Sequence, residues 1–147
     1  MSKRDSATTF EFTVAETATE GPRATILALL QAYNHAHAGP AAATPLAILL
    51  HDRRGKAVGG LHATSAYDWL IVELVFVPKA MRGRGAGSAL LARAEEIARA
   101  RGCTGVWLDT FSFQARGFYE RLGYRVFGAV ENHPAGAERY FLKKILA

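Results

Sequence analysis

Apolar residues recur at helical spacing in two long segments of this chain. Residues 22–35 begin with Pro22, which suits an early position in a helix, and carry apolar side chains three or four residues apart (Ile26, Leu29, Leu30 and Tyr33). Residues 88–101 form a second apolar face (Leu90, Leu91, Ala94, Ile97 and Ala98). There Glu95 is spaced to pair with Arg99, and Gly102 is placed to end the helix. A shorter helix is predicted over residues 114–123.

Apolar runs between these helices predict strands. The runs "LAILLHD" at 46–52 and "KAVGGLHATSA" at 56–66 flank Gly55, which can adopt the positive φ of a hairpin turn. Gly59 and Gly60 indicate a bulge or a close approach of another group to the backbone. Further strands are predicted over residues 11–14, 69–77, 105–110, 124–128 and 139–146. The run at 69–77, "WLIVELVFV", is interrupted by a single acid, Glu73.

The order of these elements predicts a mixed α/β fold with antiparallel and parallel strands. A chain of 147 residues, half of them hydrophobic, suits one compact domain over residues 1–147. Its apolar runs are too short to cross a bilayer, which needs roughly 20 apolar residues, and the polar N-terminus does not resemble a signal peptide. The lone Cys103 permits no disulfide within the chain, so we expect a reducing, cytoplasmic location.

The net charge of +5 would suit nucleic acid, an acidic membrane surface or a small polyanion. The arginines are scattered and no basic run is interleaved with aromatic residues, so a charged small molecule fits better than nucleic acid or a membrane. The five histidines show no metal-ligand spacing, and we expect no metal. Cys103 is interpreted as a buried apolar residue, and the aromatic residues Tyr67, Trp69 and Trp107 as core or rim residues.

The segment "VPKAMRGRGAGSALL" at 77–91 places glycines and arginines where a strand turns into a helix. Unpaired backbone N–H groups and the positive end of the helix dipole meet an anion there. Glycines at 83, 85 and 87 remove side chains that would keep phosphate oxygens away, and Arg82 and Arg84 add positive charge. We interpret this turn as a pyrophosphate-binding site; the alternative is a glycine-rich surface turn that caps the helix.

Two other phosphate-binding loops fit poorly. The Gly55-Lys56 pair is followed by Ala57 and lacks the upstream glycine of a P-loop. A dinucleotide-binding fingerprint would need glycine where the chain has Ser88. It would also follow the strand directly, whereas residues 78–81 intervene here. Only Asp109, at the end of the next strand, supports this alternative.

Two motifs resemble those of the GNAT superfamily of N-acyltransferases. Residues 82–87, Arg-Gly-Arg-Gly-Ala-Gly, are similar to its acyl-CoA-binding motif, Arg/Gln-x-x-Gly-x-Gly/Ala. Residues 118–128, "FYERLGYRVFG", resemble its second signature at the expected distance downstream. With the strands between them, the motifs cover roughly residues 57–128.

The resemblance implies a mixed, mostly antiparallel twisted sheet with flanking helices and a splayed central strand pair. The strand that ends at Val77 would part from the strand at 105–110, and acetyl-CoA would lie in the slot as an extra strand. The implied cofactor-binding residues follow the first strand, the turn and the second motif: Val75, Phe76, Val77, Arg82, Gly83, Arg84, Gly85, Ala86, Gly87, Ser88, Ser112 and Phe118. Many members carry Asn where this chain has Ser112, whose hydroxyl, or neighbouring Gln114, would have to replace it.

The chemistry of acetyl transfer from acetyl-CoA to an amine has candidates in this sequence. Glu73 could accept the proton of the amine, directly or through a water; otherwise it is a solvent-facing or salt-bridged strand residue. By the resemblance, the N–H of Val75 would polarise the acyl carbonyl and the hydroxyl of Tyr119 would protonate the departing thiolate, unless Tyr119 only packs or donates a structural hydrogen bond.

The leading hypothesis is therefore a direct N-acetyltransferase that acts on a primary amine of a small molecule or a peptide. The acceptor pocket would be built from residues 23–45 and 128–139, where Glu131, His133 and Glu138 could attract a cationic amine or be ordinary surface residues. A non-catalytic acyl-CoA-sensing module and a basic nucleic-acid-binding domain are the alternatives. A homodimer paired through sheet edges or helices is compatible with the resemblance.

Overall fold

The computed structural model describes residues 9–147 and contains three α-helices, a short 3-10 helix (Lys79–Met81) and six strands there. The α-helices and strands are numbered in chain order. They follow the chain as α1 (Glu20–Ala38), β1 (Thr44–His51), β2 (Ala57–Ala66), β3 (Trp69–Phe76), α2 (Ala86–Ala100), β4 (Gly105–Phe111), α3 (Arg116–Arg121), β5 (Arg125–Glu131) and β6 (Glu138–Ile145). The strands form one sheet in the order β1-β2-β3-β4-β6-β5. Every neighbouring pair is antiparallel except β3 and β4. This confirms the predicted mixed, mostly antiparallel α/β fold.

The described chain divides into two units, one that ends at Pro40 and one that spans Ala41–Ala147. The first unit holds α1, which begins two residues before Pro22 and runs three residues past the predicted end at His35. The predicted strand at residues 11–14 was wrong, because these residues are irregular. A strand needs a second backbone to pair with, and residues 9–40 contain no strand. The assignment of the whole chain to one domain stays a prediction.

None of the helices among residues 9–147 is both long and apolar enough to cross a membrane. The buried core of the second unit lies where α2 covers one face of the sheet, and it includes Leu70, Leu91, Val106, Leu108 and Leu142. All five are less than 2% exposed. The other face of the sheet carries polar and partly exposed side chains, among them His62, Thr64 and Glu73.

The β1–β2 hairpin forms as predicted, with Gly55 in its turn at φ 83°. The ladder shifts register between Leu50 and His51, beside Gly59. A Cβ on Gly59 would lie 2.4 Å from the carbonyl oxygen of Phe76, and one on Gly60 would lie 2.2 Å from that of Ile48. The two glycines therefore allow three strand backbones to approach closely, as the sequence indicated.

Gly60→Ala is expected to destabilise the protein by about 2 kcal/mol or more, because alanine would combine backbone strain with this overlap. The φ of Gly60 is +147°, which side chains rarely adopt. Gly128→Ala, also in a strand, is the matched control, since a Cβ there meets nothing within 4 Å. Urea unfolding of both variants measures the difference, and an equally small loss in both would contradict this account.

The predicted pairing of Glu95 with Arg99 was wrong. Glu95 faces the core, where its Oε1 is 2.9 Å from Nζ of Lys144 and its Oε2 accepts a 2.8 Å hydrogen bond from the Tyr124 hydroxyl. Burial raises the pKa of Tyr124 far above its usual range, and the negative charge of the Glu95 carboxylate raises it further. Tertiary partners replaced the local pair because Glu95 lies on the buried side of α2, next to Leu91 and Ala94 in the turn before it.

Candidate active site

The parallel strands β3 and β4 part in the middle of the sheet. Their ladder runs from the Trp69–Gly105 pair to the Val72–Leu108 pair and then stops. β3 continues to Phe76, paired with β2 on one side but with no strand on the side of β4. The splayed central pair predicted from the resemblance is therefore present, and it leaves backbone N–H and C=O groups along one edge of β3 without a strand partner.

A cavity of about 770 Å³ lies along this gap. It is lined by β3, the glycine turn and the start of α2, β4, α3 with the segment before it, and one residue of β6: Val72, Glu73, Leu74, Val75, Phe76, Val77, Arg82, Gly83, Gly87, Leu108, Asp109, Thr110, Phe111, Phe113, Gln114, Ala115, Phe118, Tyr119 and Arg139. Its volume is that of a small-molecule binding site.

A bulge interrupts β3 where the strand lines this cavity. His62 pairs with Leu74 and Ala63 pairs with Val72, so Glu73 is the extra residue. Leu70 and Val72 pack into the core before the bulge, and Val75 and Val77 pack against it afterwards. Even-numbered residues face the core before the bulge and odd-numbered residues face it afterwards, so the bulge reverses the alternation of the strand. Glu73 lies on the face of β3 opposite Leu70 and Val72, and the bulge then turns Val75 rather than Leu74 towards the core.

The glycine turn lies at the start of α2, as predicted. Gly83 and Gly85 have φ of 74° and 85°, a conformation that favours glycine. The first intrahelical hydrogen bond runs from Ala89 N to Gly85 O (2.9 Å), so the N–H groups of residues 86–88 precede it. Gly87 has a second role, because a Cβ there would lie 3.0 Å from the ring of Phe118. The two motifs thus contact each other across the cavity wall.

The predicted cofactor-binding residues fall into two groups. Seven line the cavity: Val75, Phe76, Val77, Arg82, Gly83, Gly87 and Phe118. The other five, Arg84, Gly85, Ala86, Ser88 and Ser112, do not line it. Four of these belong to the exposed turn and the helix start beside Gly83 and Gly87. Arg82 donates from Nε to the carbonyl oxygen of Val77 (2.9 Å), which ties the turn to the end of β3.

Ser112 joins β4 to β6 instead of lining the cavity. Its hydroxyl accepts a 3.0 Å hydrogen bond from Glu138 N, and its N–H donates to Glu138 O at 2.7 Å. Gln114 does line the cavity, and its Oε1 accepts hydrogen bonds from Phe111 N (2.7 Å) and the Thr110 hydroxyl (3.2 Å). Of the two replacements considered for the usual Asn, the geometry favours Gln114.

Both predicted catalytic residues line the cavity. The Tyr119 side chain is buried, with 7% of the residue exposed, and its hydroxyl has no hydrogen-bond partner among residues 9–147. Burial raises the pKa of Tyr119 above its ordinary value, so the phenol keeps its proton at neutral pH. The Glu73 side chain is 48% exposed, and its Oε1 lies 3.3 Å from His62 Nδ1 and accepts a 2.8 Å hydrogen bond from the Thr64 hydroxyl.

Arg139 is a cavity residue that the sequence reasoning missed. Its guanidinium pairs with the Asp109 carboxylate and lies between the rings of Phe111 and Phe141, 5.5 and 5.4 Å from their centroids. Its Nε is buried and has no partner in the described part of the chain. The signal in the sequence was alternation, since Arg139 must lie on the opposite face of β6 from Leu142.

No group of three or more His, Cys, Asp or Glu side chains among residues 9–147 is arranged to hold a metal ion.

A sheet whose central parallel strands part beside a glycine-rich helix start defines the GNAT class of acyltransferases, which the two motifs indicated. The chain belongs to this family, since the model of the acetyltransferase (GNAT) family matches residues 11–124. It is 41% identical over 115 residues to acetyltransferase Atu2258 of Agrobacterium fabrum, covering 78% of this chain and 84% of that protein. It is also 44% identical over 94 residues to blasticidin-S acetyltransferase of Streptomyces morookaense, covering 63% and 69%.

A crystal structure of a protein from Agrobacterium tumefaciens has the same fold. It superposes with a TM-score of 0.87 at 36% sequence identity, covering 93% of this chain and all of that one. Together with the family match, these relatives identify the chain as an acetyltransferase.

Proposed function

We propose that this protein transfers an acetyl group from acetyl-CoA directly to a primary amine of a cationic small molecule. The observation that carries the proposal is the gap between β3 and β4, which opens into the cavity with the glycine turn on one wall and Glu73 and Tyr119 on others. The lone Cys103 suits a reaction in the cytoplasm, where thiols stay reduced.

The residues along the gap fit a CoA thioester. The unpaired edge of β3 at Val75–Val77 would hydrogen-bond the pantetheine arm as a neighbouring strand does. Phe118 would line the other side of the arm. The N–H groups of residues 86–88, with Arg82 and Arg84, would hold the pyrophosphate. The absence of a side chain at Gly83 leaves the turn open, since a Cβ there would meet nothing within 4 Å.

The thioester supplies an activated acetyl group, and the protein supplies protons and charge. Glu73 takes the first proton of the ammonium, which frees the nitrogen lone pair for attack. The Val75 N–H donates to the carbonyl oxygen as negative charge develops there. A C–N bond forms and the C–S bond breaks. Tyr119 donates its proton to the departing sulfur and regains one from the nitrogen, which loses its second proton.

The charges around the cavity support a cationic acceptor. Glu73 and Asp109 both present carboxylates to the cavity, and Arg139 neutralises only one of them. The other basic residue that lines the cavity is Arg82, which lies in the glycine turn, where the pyrophosphate would bind. Blasticidin S is the first acceptor to test, because it names one of the relatives.

Acetyl-CoA is expected to bind to the native protein, and Ser88→Glu is expected to weaken binding by about tenfold or more, because it sets a carboxylate against the pyrophosphate. Isothermal titration measures both. Glutamate in the first turn suits the helix dipole, so the variant should stay folded. Ala100→Glu is the matched control, because it adds the same charge to α2 about 18 Å away.

Release of the CoA thiol in the presence of blasticidin S or a panel of amines then tests turnover. No binding of acetyl-CoA to the native protein would overturn the proposal at its first step. If Ser88→Glu does not weaken binding, the pyrophosphate does not bind at the helix start. Binding without thiol release for any amine would support the alternative of a non-catalytic acyl-CoA sensor.

A further inference from the structure

Two side chains of β2 hold the Glu73 carboxylate at the edge of the cavity. The Thr64 hydroxyl and His62 Nδ1 both approach the same oxygen, Oε1, at 2.8 and 3.3 Å. Both come from the strand next to β3, where alternation places His62 and Thr64 on the same face of the sheet as Glu73. Oε2 has no hydrogen-bond partner among residues 9–147, so the carboxylate keeps one oxygen for other contacts.

His62 contacts Glu73 from outside the cavity that the substrates would fill, and both side chains are partly exposed. Glu73 lines the cavity but His62 does not. The His62 side chain is 44% exposed, and its Nε2 has no partner in the described part of the chain. Thr64 cannot serve as an exit for a proton, because a hydroxyl that donates to Oε1 is neither an acid nor a base near neutral pH. The histidine ring, by contrast, can accept a proton at one nitrogen and release one at the other.

The proposed reaction requires such an exit. An ammonium group loses two protons when it becomes an amide, and the departing CoA thiolate takes up only one of them. One proton per turnover must therefore leave the protein. Since Glu73 takes the first proton, it must lose that proton before it can act again.

We propose that His62 is the outlet through which the proton taken up by Glu73 reaches solvent, and that Thr64 is a positioning residue for the Glu73 carboxylate. This inference rests on the proposed function. Protonated Glu73 donates to Nδ1, the resulting imidazolium releases the proton on Nε2 to water, and exchange with water, which takes the proton from Nδ1 and returns one to Nε2, restores the first tautomer. No bond to the acetyl group is involved, and charge balances at each step.

The test is the rate of CoA release by the full chain, with acetyl-CoA and blasticidin S as substrates. If blasticidin S is not acetylated, the first amine of the panel that is turned over replaces it. His62→Ala is expected to lower kcat by about tenfold in dilute buffer, with the KM for acetyl-CoA unchanged. Imidazole added to the buffer should restore most of the lost rate, because a small base can take the place of the missing ring. The native enzyme should not respond to imidazole.

Two variants keep this result interpretable. Thr64→Val removes the other partner of Oε1, so its rate should fall without any response to imidazole. Glu73→Gln should lose more activity than either and should not be rescued, since no proton reaches the outlet. His62→Asn, also rescued by imidazole, serves if His62→Ala does not fold.

The outcomes separate this inference from the function on which it rests. A slow Glu73→Gln variant combined with an imidazole-insensitive His62→Ala variant overturns the outlet alone. A Glu73→Gln variant as fast as the native enzyme overturns the role of Glu73 and the outlet with it. Failure of the native protein to acetylate any amine overturns both the proposed function and the outlet.

Discussion

Tyr119→Phe is expected to lower kcat about 100-fold, within the range that a positioned general acid contributes, while acetyl-CoA still binds with nearly unchanged affinity. The hydroxyl has no partner to lose among residues 9–147, so its removal leaves no unpaired group behind. Burial holds the proton on the phenol at neutral pH by raising its pKa. The phenylalanine ring preserves the packing against Phe118, 5.1 Å away between ring centroids. Steady-state rates of CoA release and titration with acetyl-CoA measure the two effects.

Tyr124→Phe is the matched control for this substitution. Its ring lies 6.0 Å from that of Tyr119, and its hydroxyl donates to Glu95 instead of facing the cavity. We expect this variant to lose stability and to keep kcat. If Tyr119→Phe retains the native rate, Tyr119 only packs, and another group or water must protonate the thiolate.

Lys144→Met is expected to destabilise the protein by about 3 kcal/mol, the lower part of the range for breaking a buried ion pair. The Glu95 side chain is only 8% exposed, so its carboxylate would remain in the core with the Tyr124 hydroxyl as its single partner. The loss should lie in the lower part of this range because the Lys144 side chain is 26% exposed and water already screens the pair. Urea unfolding followed by circular dichroism gives the free energy.

Removing the whole network tests this explanation. The triple variant Glu95→Leu, Tyr124→Phe, Lys144→Met buries no charge and no unpaired hydroxyl, so it should recover most of the stability that Lys144→Met loses. A triple variant less stable than Lys144→Met would show that the network stabilises the protein by more than the neutralisation of the Glu95 charge. A loss below about 1 kcal/mol in Lys144→Met would mean that Glu95 finds water instead.

Features that depend on neighbours along the chain were predictable from the sequence. The apolar face of α2 and the positive φ of Gly55 follow from local periodicity and from the conformational freedom of glycine. The strand predicted at residues 11–14 failed because apolar alternation does not reveal whether a partner strand exists. The Glu95–Arg99 pair failed for a related reason, since helical spacing permits a pair but does not show which side of the helix is buried.

Within the site, the motifs placed the turn, Phe118 and Tyr119 correctly along the cavity, and the roles of these residues stay predictions. His62 and Arg139 could not be placed from the sequence, because their contacts cross between strands. The contact of His62 with Glu73 depends on the register of β2 with β3, and the side to which Val75 points depends on the bulge at Glu73. Alternation alone would have sent Glu73 and Val75 to the same face. The replacement of Ser112 by Gln114 at the cavity likewise depends on how the chain turns after β4.

The four-residue ladder between β3 and β4 works as a pivot for the cavity beyond it. The four residues of β3 past Val72 extend about 13 Å, so a change of about 5° in the angle between the strands would move the far end of the gap by about 1 Å. That is a large part of the length of a methylene group. At the base of the pivot, Gly105 lies under the Trp69 ring, where a Cβ would come within 2.6 Å of it. Neither residue lines the cavity, and both lie at the base of the ladder from which the strands part. We expect substitutions there to change the width of the gap without altering any residue that lines it.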